Sequence, residues 1–309
     1  MKLLSLPLAL LGLLALPAAP ARAALDQAAY VQLASSVLRI EAPRQRGGFA
    51  LGSAVAIEPD KVVTNCHVTR DATEIHVLRG GLRYPARWQA ADVGRDLCLL
   101  QVPGLSAQPV ALGKAASLAI GQPVTALGYT GGVGIQNSTG AVVQLHRHDG
   151  GRVIQSSNFF NSGASGGGLF DDEGRLVGIL TFRLRGGESH YFAAPVEWVA
   201  QMLADTQRGS FRRVMPLDTQ QLPYWQAGPS SQPRFLQAAV LVRNDRWVEL
   251  ETLARDWLQA EPDDAEPWQL LATALARQGR SDEAGTALQR ALTITTTAPP
   301  AATATSPSR

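Results

Sequence analysis

Asn161-Ser162-Gly163-Ala164-Ser165-Gly166-Gly167-Gly168-Leu169-Phe170 sets one serine among four glycines and runs at once into an apolar strand start. Glycine admits backbone conformations closed to other residues and lets a second chain approach closely. A nucleophilic serine needs both. Its hydroxyl must project from a tight turn, and its own N–H must converge with that of Gly163 on one spot to hold an oxyanion. The same residues also suit a glycine-rich hairpin loop. The choice rests on whether a base and an orienting acid stand elsewhere in the chain.

From Tyr30 to about Asp205 the surrounding sequence is a succession of short strand candidates. Val31-Gln32-Leu33, Val37 to Ile40, Gly52 to Ile57, Lys61 to Thr64 and Glu74 to Leu78 come first. Val110-Ala111-Leu112, Pro123 to Gly128, Gly140 to Leu145, Arg152 to Gln155 and Arg175 to Phe182 follow, parted by Gly, Pro, Asp and Asn. Helical period first appears at Pro195 to Leu203. Many short strands predict a sandwich or barrel, and the break near Pro103 to Gly113 divides them into two groups of similar size.

Two strand ends carry chemistry. Thr64-Asn65-Cys66-His67-Val68 places a histidine where a strand turns, and Gly94-Arg95-Asp96-Leu97-Cys98-Leu99-Leu100 places an aspartate at the start of an apolar strand. Alone, such a histidine is more often structural and such an aspartate more often a turn residue. Together, in the order His, Asp, Ser on a two-barrel pattern, the three motifs resemble the chymotrypsin-like serine proteases. The nearest likeness is to the bacterial HtrA (Deg) type, over Gly52 to about Val199.

That resemblance implies an all-β double barrel and a serine endopeptidase acting on polypeptides without a cofactor. Ser165 would attack the scissile carbonyl, His67 would serve as general base, and Asp96 would hold the imidazole tautomer. The amides of Gly163 and Ser165 would form the oxyanion hole. Thr181-Phe182-Arg183 would pair its backbone with an extended substrate. His190 falls near one wall of the family's primary specificity pocket and would favour an acidic side chain. Activity should rise with pH around neutrality as the base loses its proton. Ala164 stands where the trypsin branch has an acidic residue that receives a new N-terminus, so zymogen activation of that kind is not expected. The PDZ domain usual in HtrA proteases is not visible. A catalytically inactive, protease-like binding module is the alternative reading.

With His67 beside Asp96, and with Cys98 two strand positions from Asp96 on one face, Cys66 and Cys98 are expected to form a disulfide. An exported protein permits one. Export is expected from Met1 to Ala23: Lys2, the apolar run Leu3 to Leu16 and Ala21-Arg22-Ala23 read as a cleaved leader, giving a periplasmic or secreted chain. No later stretch is long and apolar enough to span a membrane.

The remaining chain, about 285 residues, suits two domains. The full sequence is 45% apolar, which supports a sizeable core, and its net charge of +2 gives no electrostatic reason for a nucleic-acid or membrane-surface partner. His76, His146, His148 and His190 lack metal-ligand spacing, and His146-Arg147-His148 reads as a solvated hairpin. Residues 24–205 thus form the protease-like domain and 206–234 a linker with little structure.

Residues 235–294 turn helical. Trp268, Leu271, Leu275, Gly279, Ala284, Leu288 and Ala291 fit a tetratricopeptide-like repeat of about 34 residues. Leu250, Ala254 and Pro262 repeat the register, with Asp245 in place of Gly279. Too few repeats stand here for a free solenoid, so the helices should lean on the protease or on a partner they recruit. Since all three triad candidates precede the linker, a chain ending near Asp205 is expected to keep its chemistry. The tail, 295–309, is Thr/Ala/Pro/Ser and expected to be disordered.

Overall fold

Apolar side chains at alternate positions, and at nearly every position in the middle, draw the first half of the chain into one sheet. The computed structural model describes residues 27–44, 47–131, 134–184, 191–217 and 220–297. In order come α1 (Gln27–Ser36), β1 (Val37–Pro43), β2 (Phe49–Glu58), β3 (Lys61–Thr64), the short α2 (Cys66–Thr69), β4 (His76–Arg79), β5 (Leu82–Pro85), β6 (Trp88–Asp92) and β7 (Leu97–Gln101). Next are β8 (Pro123–Thr130), β9 (Gly134–His148), β10 (Gly151–Ser156), β11 (Gly168–Phe170), β12 (Leu176–Arg183), β13 (Tyr191–Pro195) and α3 (Val196–Thr206). The chain ends in β14 (Arg212–Arg213), α4 (Arg234–Arg243), α5 (Trp247–Ala260), α6 (Ala265–Arg277) and α7 (Ser281–Thr297).

The first unit is an eight-stranded sheet in the order β14-β6-β7-β3-β2-β1-β4-β5, and the second is a closed barrel, β10-β13-β12-β11-β8-β9. The sheet encloses its own core of Leu38, Ile40, Val62, Ile75, Val77 and Leu100. The barrel encloses Val124, Ile154, Leu169, Val177 and Leu180. A third cluster joins the two units and extends into the helices, running from Val55, Leu97 and Leu99 through Phe170, Phe192 and Trp198 to Phe235, Leu236 and Trp257. Burying one such side chain fully contributes about 1.5–3 kcal/mol. The residues ahead of Asp205 therefore do not close their core without residues beyond it.

Several expectations change here. Val31-Gln32-Leu33 lies within α1, not a strand. Val110 to Leu112 is no strand either; Leu112 makes an isolated bridge to Leu176. The segment taken as a linker is anchored at several of its described residues. Arg212 and Arg213 pair with β6, Leu217 N–H donates to the Arg70 carbonyl (2.8 Å), and Tyr224 N–H donates to the Gly94 carbonyl (3.0 Å). Tyr224 is buried.

His146 and His148 are not on a solvated hairpin. His146 is 5% exposed, with Nδ1 2.7 Å from Glu266 Oε1 of α6 and its ring stacked on Phe235 at 4.3 Å. His148 packs against Tyr224 and Trp198, and burial pushes its pKa down. The last helix passes Ile294 to reach Thr297. The expected leader, 1–23, and the tail beyond Thr297 lie outside the described residues; among the described residues, no helix is long and apolar enough to cross a membrane.

α4 with α5 and α6 with α7 form two hairpins. Their turns carry Asp245 (φ 53°) and Gly279 (φ 78°), both left-handed, one repeat period apart. Leu250, Ala254, Leu271, Leu275, Ala284 and Ala291 are buried, whereas Leu288 is exposed.

Candidate active site

β3 and β7 pair antiparallel, with Thr64 opposite Cys98, so the residues following β3 meet those preceding β7. Asn65, extended at φ −87° and ψ 144°, opens α2 and turns His67 toward that junction. Asp96 stands just outside β7 in a left-handed conformation, φ 60°. Its carbonyl accepts from Asn65 Nδ2 (2.9 Å) and from Cys66 N–H (3.3 Å). The carboxylate Oδ1 accepts from His67 N–H (2.8 Å), and Oδ2 lies 2.6 Å from His67 Nδ1. The Asp96 side chain is 1% exposed and that of His67 25%. An ionised carboxylate only accepts, so Nδ1 carries the proton and Nε2 is left as the basic ring atom.

Cys66 and Cys98 are disulfide-bonded across the same junction, with Cα atoms 5.0 Å apart. The bridge is as expected, but the route to it differs. Asp96 is not a strand residue and shares no strand face with Cys98.

Ser165 sits in the loop between β10 and β11. The loop is pinned at several points. Ala164 N–H donates to the Asn161 carbonyl (3.0 Å), Gly166 N–H to Leu180 (2.8 Å), and the Ser162 carbonyl is taken by Gly131 N–H (2.9 Å). Gly163 at φ 97° requires the left-handed region. Gly166, at φ 86°, lies so close to β2 that a Cβ there would be 2.1 Å from the Ser53 carbonyl oxygen. The amides of Gly163 and Ser165 have no acceptor among the described residues.

Ser53 is a residue that sequence reasoning missed. It is fully buried. Its Oγ donates to the Gly163 carbonyl and accepts from Tyr129 N–H, both at 2.8 Å. Its N–H donates to the Ser165 carbonyl (2.8 Å). A hydroxyl at an inward position of the apolar run Gly52 to Ile57 was the one available signal.

The Ser165 hydroxyl donates to the Thr181 carbonyl at 3.4 Å, and no hydrogen bond joins it to His67 in this conformation. Thr181, at the end of β12, turns its own hydroxyl inward to the Ile179 carbonyl (2.8 Å). Phe182 is buried, and Arg183 Nη1 donates to Asn161 Oδ1 (3.0 Å). Phe182 and Arg183 pair with β13 on one side, while β11 covers β12 on the other side only from Leu176 to Ile179. Among the described residues, no strand thus covers one edge of Thr181 to Arg183 beside Ser165. His190 lies outside the described residues. A cavity of about 130 Å³ opens next to Ala164, lined by Gly128, Gln136, Ser138, Phe159, Phe160 and Leu180 among others, none charged. A larger cleft of about 540 Å³ lies between Arg147, Arg152, Glu197 and Glu261, and no triad candidate lines it.

Trp225, in the segment read as linker, also reaches the site. Its Nε1–H donates to Asp96 Oδ2 (3.1 Å). The indole meets the His67 ring edge-on, centroids 5.6 Å apart at 84°, and stacks on Phe182 at 5.0 Å and 7°.

Residues 52–179 match the family described as trypsin-like peptidase domain. Serine protease HTRA4 of Mus musculus is 32% identical over 184 residues, 55% of this chain and 37% of that protein. A probable periplasmic serine endoprotease, DegP-like, of Ectopseudomonas mendocina is 36% identical over 168 residues, 52% of this chain and 35% of its own length. The crystal structure of the Rv3671c protease from M. tuberculosis, active form, has a TM-score of 0.54 at 25% identity, covering 59% of this chain and 87% of that one. The chain thus spans well under two thirds of the curated relatives it matches. Its sheet and barrel have the chymotrypsin-like protease fold, and a helical region beyond the matched residues follows them.

Proposed function

We propose that this chain, whose residues 52–179 match the trypsin-like peptidase domain family and resemble a DegP-like protease, is an exported serine endopeptidase. The observation that carries it is the buried Asp96 carboxylate bonded to His67 twice, beside a serine loop in which the amides of Gly163 and Ser165 have no acceptor among the described residues. Ser165 Oγ attacks the peptide carbonyl, His67 Nε2 receives its proton and returns it to the leaving amine, and Asp96 stabilises the imidazolium. The amides of Gly163 and Ser165 hold the oxyanion, where losing one donor typically costs about 100–1,000-fold in rate. The free edge at Thr181 to Arg183 pairs with extended substrate, and the uncharged cavity beside Ala164 takes a small neutral side chain. The acidic preference drawn from His190 finds no support among the described lining residues.

The periplasmic designation of the DegP-like relative supports a periplasmic or secreted location. The two hairpins, with matching left-handed turns, are read as tetratricopeptide-like units that recruit a protein partner or large substrates. One observation favours the second reading, a catalytically inactive binding module: the Ser165 hydroxyl faces Thr181 rather than His67. Catalytic hydrogen bonds are often long or misaligned without substrate, so this contact does not by itself exclude the triad.

A fluorophosphonate probe decides between them. It is expected to label the folded protein at Ser165, with Ser165→Ala and His67→Ala abolishing both labelling and proteolysis. A folded wild type that labels at no serine would establish the binding module instead.

A further inference from the structure

We infer that Trp225 is a positioning residue for the His67–Asp96 pair, held in place by a strap that descends from the helical end of the chain. The inference rests on the protease reading above. Asp96 Oδ2 accepts from two donors, His67 Nδ1 and Trp225 Nε1, at 2.6 and 3.1 Å. A carboxylate so buried has no water to replace a lost donor, and hydrogen bonds to an ionised acceptor are the strong ones. The indole N–H therefore fixes the oxygen on which the imidazole tautomer depends. The ring adds a steric restraint, since it stands edge-on to His67 and is itself clamped flat on Phe182. Stacking alone would be served by phenylalanine; the indole adds a donor aimed at Oδ2.

The strap fixes the indole from its own backbone. Tyr224 N–H is bonded to Gly94, two residues before Asp96, and Arg70 Nη2 donates to the Gln221 carbonyl. The Trp225 carbonyl accepts from Gln232 Nε2 (3.1 Å). Directly after it, Pro233 leads into α4, whose Phe235 and Leu236 are buried in the core shared with the barrel. The orienting acid is thus held from a part of the chain outside the matched protease residues.

The test is the second-order rate of fluorophosphonate labelling at Ser165 in the full chain, from pH 5 to 9. Trp225→Phe is compared with wild type, and Ser165→Ala serves as blank. Trp225→Phe keeps the stack and removes the donor. It should label the same serine about tenfold more slowly at neutral pH, the low end for one lost charged hydrogen bond. Its acid limb should move to higher pH, because a carboxylate with one donor fewer favours the imidazolium. Among the described residues, Asp96 is the charged group paired with His67, and the buried Tyr224 hydroxyl is the other titratable group that feels its charge. Equal rates and superimposable pH profiles in a folded Trp225→Phe would overturn the inference and leave the protease reading standing. No labelling of wild type would overturn both. If Trp225→Phe does not fold, proton NMR of wild type still decides. The Trp225 indole proton, identified by its Overhauser contact with His67, should be downfield and slow to exchange, and free exchange with solvent would overturn the inference.

Discussion

Replacing Phe235 by alanine asks whether the helices and the barrel are one cooperative body. Phe235, in the first turn of α4, is 3% exposed. Its ring lies 4.3 Å from that of His146 and within 6.4 Å of Phe192, His148 and Tyr224. Phe→Ala in a core costs about 3–5 kcal/mol, more where neighbours cannot collapse into the cavity. Here the nearest neighbour cannot move freely, since His146 is bonded to Glu266 on one nitrogen and to Gln155 on the other. The upper half of that range, about 4–5 kcal/mol, is expected. At about 2–4 °C per kcal/mol for a chain approaching this size, the midpoint should fall by roughly 8–20 °C. Thermal unfolding is followed by far-ultraviolet circular dichroism, dominated by the helices, and, on the proposed protease reading, by residual peptidase activity, which reports the sheet and barrel together. Both should move together. A variant whose helical signal melts early while the peptidase midpoint stays within about 2 °C of wild type would refute the reasoning, and the helices would be a separable module.

Two further outcomes are expected. Replacing both Cys66 and Cys98 by alanine opens a cross-link between residues 32 apart and should cost about 3–4 kcal/mol in urea unfolding by the chain-entropy model; a loss below about 1 kcal/mol would dismiss the bridge as a brace. Glu251 is held down to about 2, first by its hydrogen bond from Arg255 and then by Gln278 and Arg280. A folded pKa below the ordinary 4.5 contributes stability that is complete above that value and lost as pH falls toward 2. Glu251→Gln should therefore lower the midpoint at pH 7 and converge with wild type near pH 2, and a pH-independent difference would exclude the linkage.

The sequence carried much of this because strands, turns and the serine loop are written locally. Alternation and Gly/Pro breaks mark β1 to β4, β8 to β10 and β12, and the glycines around Ser165 mark a loop that only glycine can make. Val31-Gln32-Leu33 misled because three residues of mixed polarity fit a strand or one face of a short helix equally well. Asp96 was found by its motif, while its left-handed backbone was not. The remaining site residues were hidden by distance along the chain. Ser53 meets Gly163 from 110 residues away, Glu266 meets His146 from 120, and Trp225 meets Asp96 from 129. No local period or spacing encodes such pairings. A tryptophan in a proline-bearing stretch resembles a linker until the sheet edge beneath it is known.

The Ser162 carbonyl, drawn outward by Gly131 N–H, has a consequence for control. A loop with two alternative settings binds ligand with an affinity reduced by the fraction of molecules in the competent one, and an effector works by raising that fraction. Here the competent setting is already stabilised within the chain, through Gly131 on one side and Ser53 on the other. On the proposed assignment, those two bonds favour the competent setting and reduce what an effector could gain by ordering this loop. Control of such a molecule falls to whatever governs the arrival of substrate at the cleft.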